Sequence, residues 1–380
     1  MLTPKLRYVV EDGVSADYGL AADEFLMRAG SMRAAEPEST LRLYTYRSHC
    51  ALVGRFQNIE AELDLDACRE LDVQVSRRPT GGGAILMGAD QLGLCFTAPA
   101  ILDGKTVKPI DVYRKLSQPV VRVLAKLGIQ ASFRPKNDLE VNGKKIAGLG
   151  VYYDSHGALL FHTSLLVDLD VSLMLRVLRI PAEKIADKAD VRSVAQRVTT
   201  VRREAGRNLS VEEIREAIKE QFEVLFDARF PHRPFTRAER RSVEELAGQK
   251  YRNNAWIFQR SPLADMTGMS LTKTAAGLLR TYIALKGQVI KSLLVTGDFF
   301  QDADVIQRIE ASLKWNAFDK ETIREVVQRA FSHEGVPDTG LLGEDVVTAI
   351  WKAGLNARAK NRLTNKGSCY YPLSRTPVEI

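Results

Sequence analysis

The stretch "VQVSRRPTGGGAILMGADQ", residues 73–91, sets two arginines and three consecutive glycines between two strand-like runs. Val73 and Val75 alternate with Gln74 and Ser76 as in a half-buried strand, and Ala84-Ile85-Leu86-Met87 is an apolar strand candidate. The join is a glycine-rich strand-to-strand turn carrying positive charge. Glycine permits positive φ and has no side chain, so backbone N–H groups can come close to something flat or anionic. No G-x-x-x-x-G-K-[ST] occurs, and "GGGAIL" lacks the last glycine of G-x-G-x-x-G. A nucleotide bound by this chain would therefore lie on a mixed or antiparallel sheet, without a Walker loop.

Length and composition bound the reading. The chain has 380 residues, enough for two domains, because single cores stop growing near ~250–300 residues. The opening "MLTPKLRYVVEDG" holds no signal-peptide run, and no stretch reaches the ~20 apolar residues of a membrane span, so a cytoplasmic protein with no membrane partner is expected. Cys50, Cys68, Cys95 and Cys369 lie far apart with no C-x-x-C pair, which points to buried reduced thiols. His156 and His162 have no acidic or cysteine partner at zinc-ligand spacing. The net charge of +7 suggests an anionic partner: nucleic acid, an acidic protein domain or a nucleotide. The basic residues are spread along the chain, which weakens the nucleic-acid reading.

Working outward, "DYGLAADEFLMRAG" reads as a helix ending at Gly30, "LRLYTYR" and "ALVGRF" as a strand pair, and residues 60–72 as a short acidic helix. "PIDVYRKLSQPVVRVLAKLG" reads as one helix ending at Gly128. Asn142-Gly143 is a strong hairpin signal, and "ALLFHTSLLVDLD" reads as the next strand. Ser210 with Glu213 forms a capping box before the apolar stripe Ile214, Ile218, Phe222 and Leu225. The basic, proline-containing segment 228–241 reads as a boundary. Beyond it, "LLRTYIALKGQVIKSLLVTGDFF" is a second hairpin, followed by a helix with Val305, Ile306, Ile309 and Leu313 and a helix candidate at 344–353. The expected domains are 1–244, a small α+β domain at 245–332, and an extension at 333–380.

Three parts in fixed order carry the chemistry: Arg77-Arg78-Pro79-Thr80-Gly81-Gly82-Gly83, Asn137-Asp138-Leu139, and Lys144-Lys145-Ile146-Ala147-Gly148. The Asn142-Gly143 tip puts Asp138 on one strand and Lys145 on the other, close enough to share a site. Taken alone, a hairpin lysine is a solvated charge. Together with "YGLAADE", "GRFQN", "NDLEVNGKKIAG", "DVRSVAQRVTTV" and "WIFQRSP", the three parts resemble the lipoate-protein ligase family, which belongs with the biotin ligases and the lipoyl and octanoyl transferases. The resemblance covers most of the chain. It implies an α+β fold: a mixed β-sheet flanked by helices as the catalytic domain, residues 1–244, plus a small α+β accessory domain.

The resemblance also implies a chemistry. Such a ligase joins the lipoate carboxylate to ATP as an acyl-adenylate and passes the acyl group to a lysine of an acceptor domain. On that reading Lys145 is the catalytic cation, Asp138 holds Mg²⁺, and Arg78 with Arg77 faces the phosphates or the acyl pocket. Gly81, Gly82 and Gly83 let the backbone lie against acyl chain and adenylate, and Asn137, Gly148 and His162 complete the substrate site. Arg192 and Arg197 fall in the loop implied to touch nucleotide. The implied substrates are ATP and lipoate (or octanoate), and the implied partner is a lipoyl-acceptor carrier domain: a 2-oxoacid dehydrogenase subunit, the glycine cleavage carrier or a specialised lipoylated carrier. Met87-Gly88-Ala89-Asp90-Gln91 leans toward the octanoyltransferase pattern. That leaves an ATP-independent transferase using a thioester donor as an alternative, and a non-catalytic lipoyl- or nucleic-acid-binding homologue as another. A thioester route needs a cysteine nucleophile after the lysine segment, where only Cys369 stands.

Overall fold

Asn142 and Gly143 both take positive φ, 50° and 75°, the backbone of a two-residue turn whose twist matches that of the flanking strands. The hairpin they close is one edge region of a large sheet. The computed structural model describes residues 5–31, 34, 36–102, 105–134, 137–154, 156–179, 197–299, 303–332 and 340–364. The chain divides into two units, Met1–Gln259 and Arg260–Ile380.

In the first unit the strands are β1 (Lys5–Val14), β2 (Glu38–Tyr46), β3 (Cys50–Val53), β4 (Gln74–Arg77), β5 (Ile85–Met87), β6 (Gln91–Pro99), the two-residue β7 (Ile101–Leu102) and β8 (Lys105–Thr106), β9 (Ser132–Arg134), β10 (Asp138–Val141), β11 (Lys144–Tyr153) and β12 (Ala158–Leu166). Seven of them form a mixed sheet in the order β1-β2-β6-β12-β11-β10-β9, parallel at β1–β2 and antiparallel elsewhere. A second sheet has the order β4-β3-β5. The two halves of the opening stretch, β4 and β5, therefore do not pair with each other. Both pair with β3, β4 in parallel and β5 antiparallel, and the arginine-glycine segment crosses between them. "LRLYTYR" and "ALVGRF" are likewise not a pair; β2 lies in the large sheet and β3 in the small one.

Period-2 alternation gives the large sheet two faces. On one, Leu41, Leu94, Phe96, Leu149, Val151 and Phe161 are buried with Val120 and Leu124 of helix Gln118–Lys126 and Ile218 and Phe222 of helix Val211–Phe226. On the other, Tyr44, Cys95 and Leu160 pack with Leu20 and Leu26 of helix Ala16–Ala29 and with Leu52 and Met87 of the small sheet. The result is α+β, a mixed sheet flanked by helices. The single helix expected over 109–128 is two, Pro109–Leu116 and Gln118–Lys126. Pro119 has no N–H to continue the ladder, so the chain restarts there. The expected acidic helix at 60–72 is also split, into Ile59–Glu62 and Leu65–Glu70.

The segment 228–241 is not a domain boundary. It returns to β1, where Tyr8 N–H donates to Pro231 O and Arg233 N–H to Tyr8 O, both at 2.9 Å. The following helix, Arg237–Leu246, buries Val243 and Leu246 against helix Ala16–Ala29. The units part between Gln259 and Arg260 instead. In the second unit, β13 (Gly268–Lys273), β14 (Leu278–Lys286) and β15 (Val289–Gly297) form an antiparallel sheet. Helix Gly343–Thr364 packs on it and needs the missing side chain of Gly268, whose Cβ would lie 2.3 Å from Ala353 O. That helix belongs to the small α+β unit rather than to a separate extension. Among the described residues no helix is long and apolar enough to cross a membrane.

Candidate active site

β11 and β12 pair with Gly148 opposite Ser164 and Gly150 opposite His162, so these four share the face that also carries Tyr152. The two glycines leave room that neighbours occupy. A Cβ at Gly148 would lie 3.0 Å from Lys145 Nζ and 3.1 Å from Ser164 Oγ, and one at Gly150 would lie 2.1 Å from His162 Nε2. A row of small residues on one strand thus seats the Lys145 ammonium and the His162 ring.

Lys145 is placed by an irregularity. The β10–β11 register shifts between Leu139 and Glu140, so that Glu140 faces Lys145 while Leu139 faces Ala147, a bulge that re-aims one side chain. The Lys145 Nζ stands 2.8 Å from Asp138 Oδ1. The contact is an ion pair out of hydrogen-bond alignment, since the buried Oδ1 accepts no hydrogen bond. Asp138 Oδ2 accepts from Arg134 Nη2 at 2.8 Å, and Arg134 also pairs with Glu140 at 3.0 Å. Asn137 supports the strand: its carbonyl accepts from Leu149 N–H at 2.7 Å and its amide donates to Leu149 O at 3.2 Å. Both oxygens of Asp138 thus face cations, Oδ1 the Lys145 ammonium and Oδ2 the Arg134 guanidinium. Among the described residues no three acidic, histidine or cysteine side chains gather to hold a metal. Asp138 is a hard oxygen donor of the type Mg²⁺ takes, but by itself it is a single carboxylate and not a complete metal site.

The glycine segment lies against the "GRFQN" segment. A Cβ at Gly54 would stand 2.1 Å from Gly82 O, and Gly82 takes φ +91°. Thr80 bridges the loop to the large sheet, its Oγ1 3.2 Å from His162 Nε2. Burial, and then the Arg78 charge, holds the His162 imidazole down to about 3, so the ring is neutral.

The guanidinium groups of Arg77 and Arg78, expected to face the phosphates or the acyl pocket, are bonded to backbone carbonyls of the protein. The fully buried Arg77 guanidinium donates to the carbonyls of Gly54, Arg55, Gln57, Trp256 and Ile257. Arg78 donates to the carbonyls of Leu52, Gly81 and Gly83, and burial lowers its pKa to about 10. These arginines shape the loop from within. Trp256 returns the contact, donating from Nε1 to Arg77 O at 2.8 Å. Arg55, whose guanidinium lies near the Trp256 and Tyr152 rings, and Trp256 fall in the quoted "GRFQN" and "WIFQRSP" motifs, but their place beside the glycine loop is set only by folding.

Behind Lys145 the chain adds residues 197–199 alongside β11: Lys145 N–H donates to Arg197 O at 2.8 Å and Thr199 N–H to Lys145 O at 2.9 Å. From there opens a cavity of about 390 Å³ lined by Val198, Thr199, Thr200, Arg202 and Arg203 on one side and Asp168, Leu169 and Val171 on the other. Arg192 lies outside the described residues, as does Cys369. Cys50, Cys68 and Cys95 are buried free thiols, and burial pushes the Cys68 thiol up to about 11 and the other two higher.

Residues 15–223 match the family model described as the lipoyl protein ligase A/B catalytic domain. The chain is 29% identical to lipoate–protein ligase 2 of Staphylococcus aureus over 276 residues, which is 71% of this chain and 78% of that protein. It is 30% identical over 268 residues to the octanoyltransferase LipM of Kyrpidia tusciae, covering 65% of this chain and 96% of that protein. Among solved structures, lipoate-protein ligase A bound with ATP aligns with a TM-score of 0.57 at 25% identity, covering 66% of this chain and 98% of that chain.

Proposed function

The chain belongs to the lipoyl protein ligase A/B catalytic-domain family, and from that premise we propose that it activates lipoate, or octanoate, with ATP and transfers the acyl group to a lysine of an acceptor carrier domain. The observation that carries this reading is the Lys145–Asp138 pair, with a buried carboxylate oxygen left without a hydrogen bond. In the first half-reaction a carboxylate oxygen attacks the α-phosphorus of ATP; the bond to pyrophosphate breaks and a mixed anhydride forms. Both reactants are anions, so cations must hold them together and offset charge that grows in the transition state. Lys145 offsets that charge on the carboxyl and α-phosphate oxygens. Asp138 would hold Mg²⁺, whose charge supplies further offset on the phosphates. In the second half-reaction the neutral amine of the acceptor lysine attacks the acyl carbon, AMP leaves with the bonding electrons, and the amine proton passes to solvent. Lys145 again faces the departing phosphate.

In this reading the turn at Gly81, Gly82 and Gly83 lies along the acyl-adenylate. Asn137, Gly148 and His162 shape the floor, and the cavity beside Thr199 and Arg203 takes the nucleotide. The net charge of +7 steers an acidic acceptor domain toward the chain.

A second reading, an octanoyltransferase that takes a thioester and dispenses with ATP, is favoured by the likeness to LipM along 96% of that protein. It requires an accessible thiolate, and the three described cysteines are buried and hard to ionise. Pyrophosphate release from ATP and Mg²⁺, with lipoate, octanoate and biotin in turn, separates the two. Release with lipoate supports the ligase. Acyl transfer without ATP that is lost in Cys369→Ser establishes the transferase.

A further inference from the structure

Three arginines surround the glycine loop, and two of them are spent on backbone carbonyls. The third is Arg55. Its N–H donates to Thr80 O at 2.9 Å, which fixes its backbone against the loop, and the preceding residue, Gly54, is the one pressed against Gly82. Its guanidinium carbon lies 5.3 Å from the centroid of the Trp256 ring and 5.8 Å from that of Tyr152. Tyr152 stands on the same face of β11 as Gly148 and Gly150. Among the described residues no carboxylate pairs with this guanidinium.

The surroundings argue against an idle surface charge. Lys250 Nζ also approaches the Trp256 ring, at 4.1 Å, and the Arg55 charge helps to hold the Lys250 pKa below its ordinary value, after burial itself. Lys250 has its own counter-ion in Glu24, at 2.6 Å. Arg55, half-buried, has none. A cation kept beside a second cation, its stem fixed by the loop and its face near two rings, keeps its N–H edge for a planar two-oxygen partner.

We infer that Arg55 binds the oxyanion of a substrate at the glycine loop: a carboxylate of the acid or a phosphate of the nucleotide. The inference rests on the acid-plus-nucleotide reading above.

Calorimetric titration of the 380-residue chain with lipoate, with its neutral amide lipoamide, and with ATP tests it, using wild type, Arg55→Gln and Arg55→Lys. The expected result is a loss of at least tenfold in affinity for one ligand in Arg55→Gln, partly restored in Arg55→Lys, at an unchanged Tm. Loss for lipoate but not lipoamide assigns the carboxylate; loss for ATP alone assigns the phosphate. Arg55→Gln binding lipoate and ATP within twofold of wild type overturns the inference and leaves the proposed function standing. Wild type that binds neither lipoate nor ATP overturns the proposed function, and the inference falls with it.

Discussion

Lys145 Nζ stands 2.8 Å from Asp138 Oδ1 across the register shift of the β10–β11 hairpin, near enough for an ion pair and misaligned for a hydrogen bond. The ion pair holds the ammonium at the site, and its three N–H donors leave it others with which to meet a ligand oxygen. Lys145→Ala is expected to lower pyrophosphate release by roughly 10²–10³-fold, the range for removing one donor aimed at developing charge. The side chain is 31% exposed, so the Tm should hardly move. Full activity in a folded Lys145→Ala protein would remove the ammonium from the mechanism.

Arg77→Ala should damage the fold rather than nucleotide affinity. The guanidinium ties β4 to the carbonyls of Gly54, Arg55, Gln57, Trp256 and Ile257, and leaving a buried acceptor without its donor costs ~1–3 kcal/mol. Arg77→Lys should also destabilise, because a point charge cannot span a fork of carbonyls. Urea unfolding reads both. A stable Arg77→Ala protein with only a raised KM for ATP would restore the phosphate-facing role.

Where pattern and local chemistry agree, the sequence was legible. The Asn142-Gly143 hairpin and the Ser210–Glu213 capping box stand in the structure as read, because each is decided within a few residues. The pairing of β3 with both β4 and β5, and the return of residues 231–233 to β1, depend on contacts far apart in sequence, which periodicity does not encode. The same holds at the site. Residue type and spacing bring Asp138 and Lys145 together, whereas the inward turn of Arg77 and Arg78 and the gathering of Arg55, Tyr152 and Trp256 come from tertiary contacts. The break at Pro119 was written in the chain, and the helical stripe on either side of it masked the signal.

The glycines of the site should separate by what their missing Cβ would strike. Gly54→Ala meets the backbone carbonyl of Gly82 at 2.1 Å, which cannot swing away, so stability should fall by at least ~1–3 kcal/mol. Gly83→Ala meets nothing within 4 Å and should be stable. Gly148→Ala meets the flexible end of Lys145 at 3.0 Å; its fold should survive while pyrophosphate release drops, because the ammonium is displaced. Thermal melts paired with turnover for the three variants check the order. Equal stability of Gly54→Ala and Gly83→Ala would contradict the packed loop.

His162 should be a source of acid sensitivity and not of catalytic pH dependence. Burial first, and then the Arg78 charge, lowers its pKa from 6.5 to about 3 in the folded chain. The unfolded chain therefore takes up the proton as pH falls through 6.5, while the folded chain does not until near 3. Stability from this group is complete above pH 6.5 and is lost on the way down to 3, at up to ~1.4 kcal/mol per pH unit. His162→Gln retains a partner for Thr80 Oγ1 but cannot titrate. Its urea midpoint should fall less steeply than that of wild type between pH 6.5 and 4, and the two should run parallel above pH 7.5. Because the ring is neutral throughout the working range, the kcat/KM profile of wild type should show no inflection that His162→Gln removes. Superimposable stability curves from pH 4 to 8 would mean that the imidazole titrates normally, and that the closed contact among Thr80, Gly150 and His162 does not persist in solution.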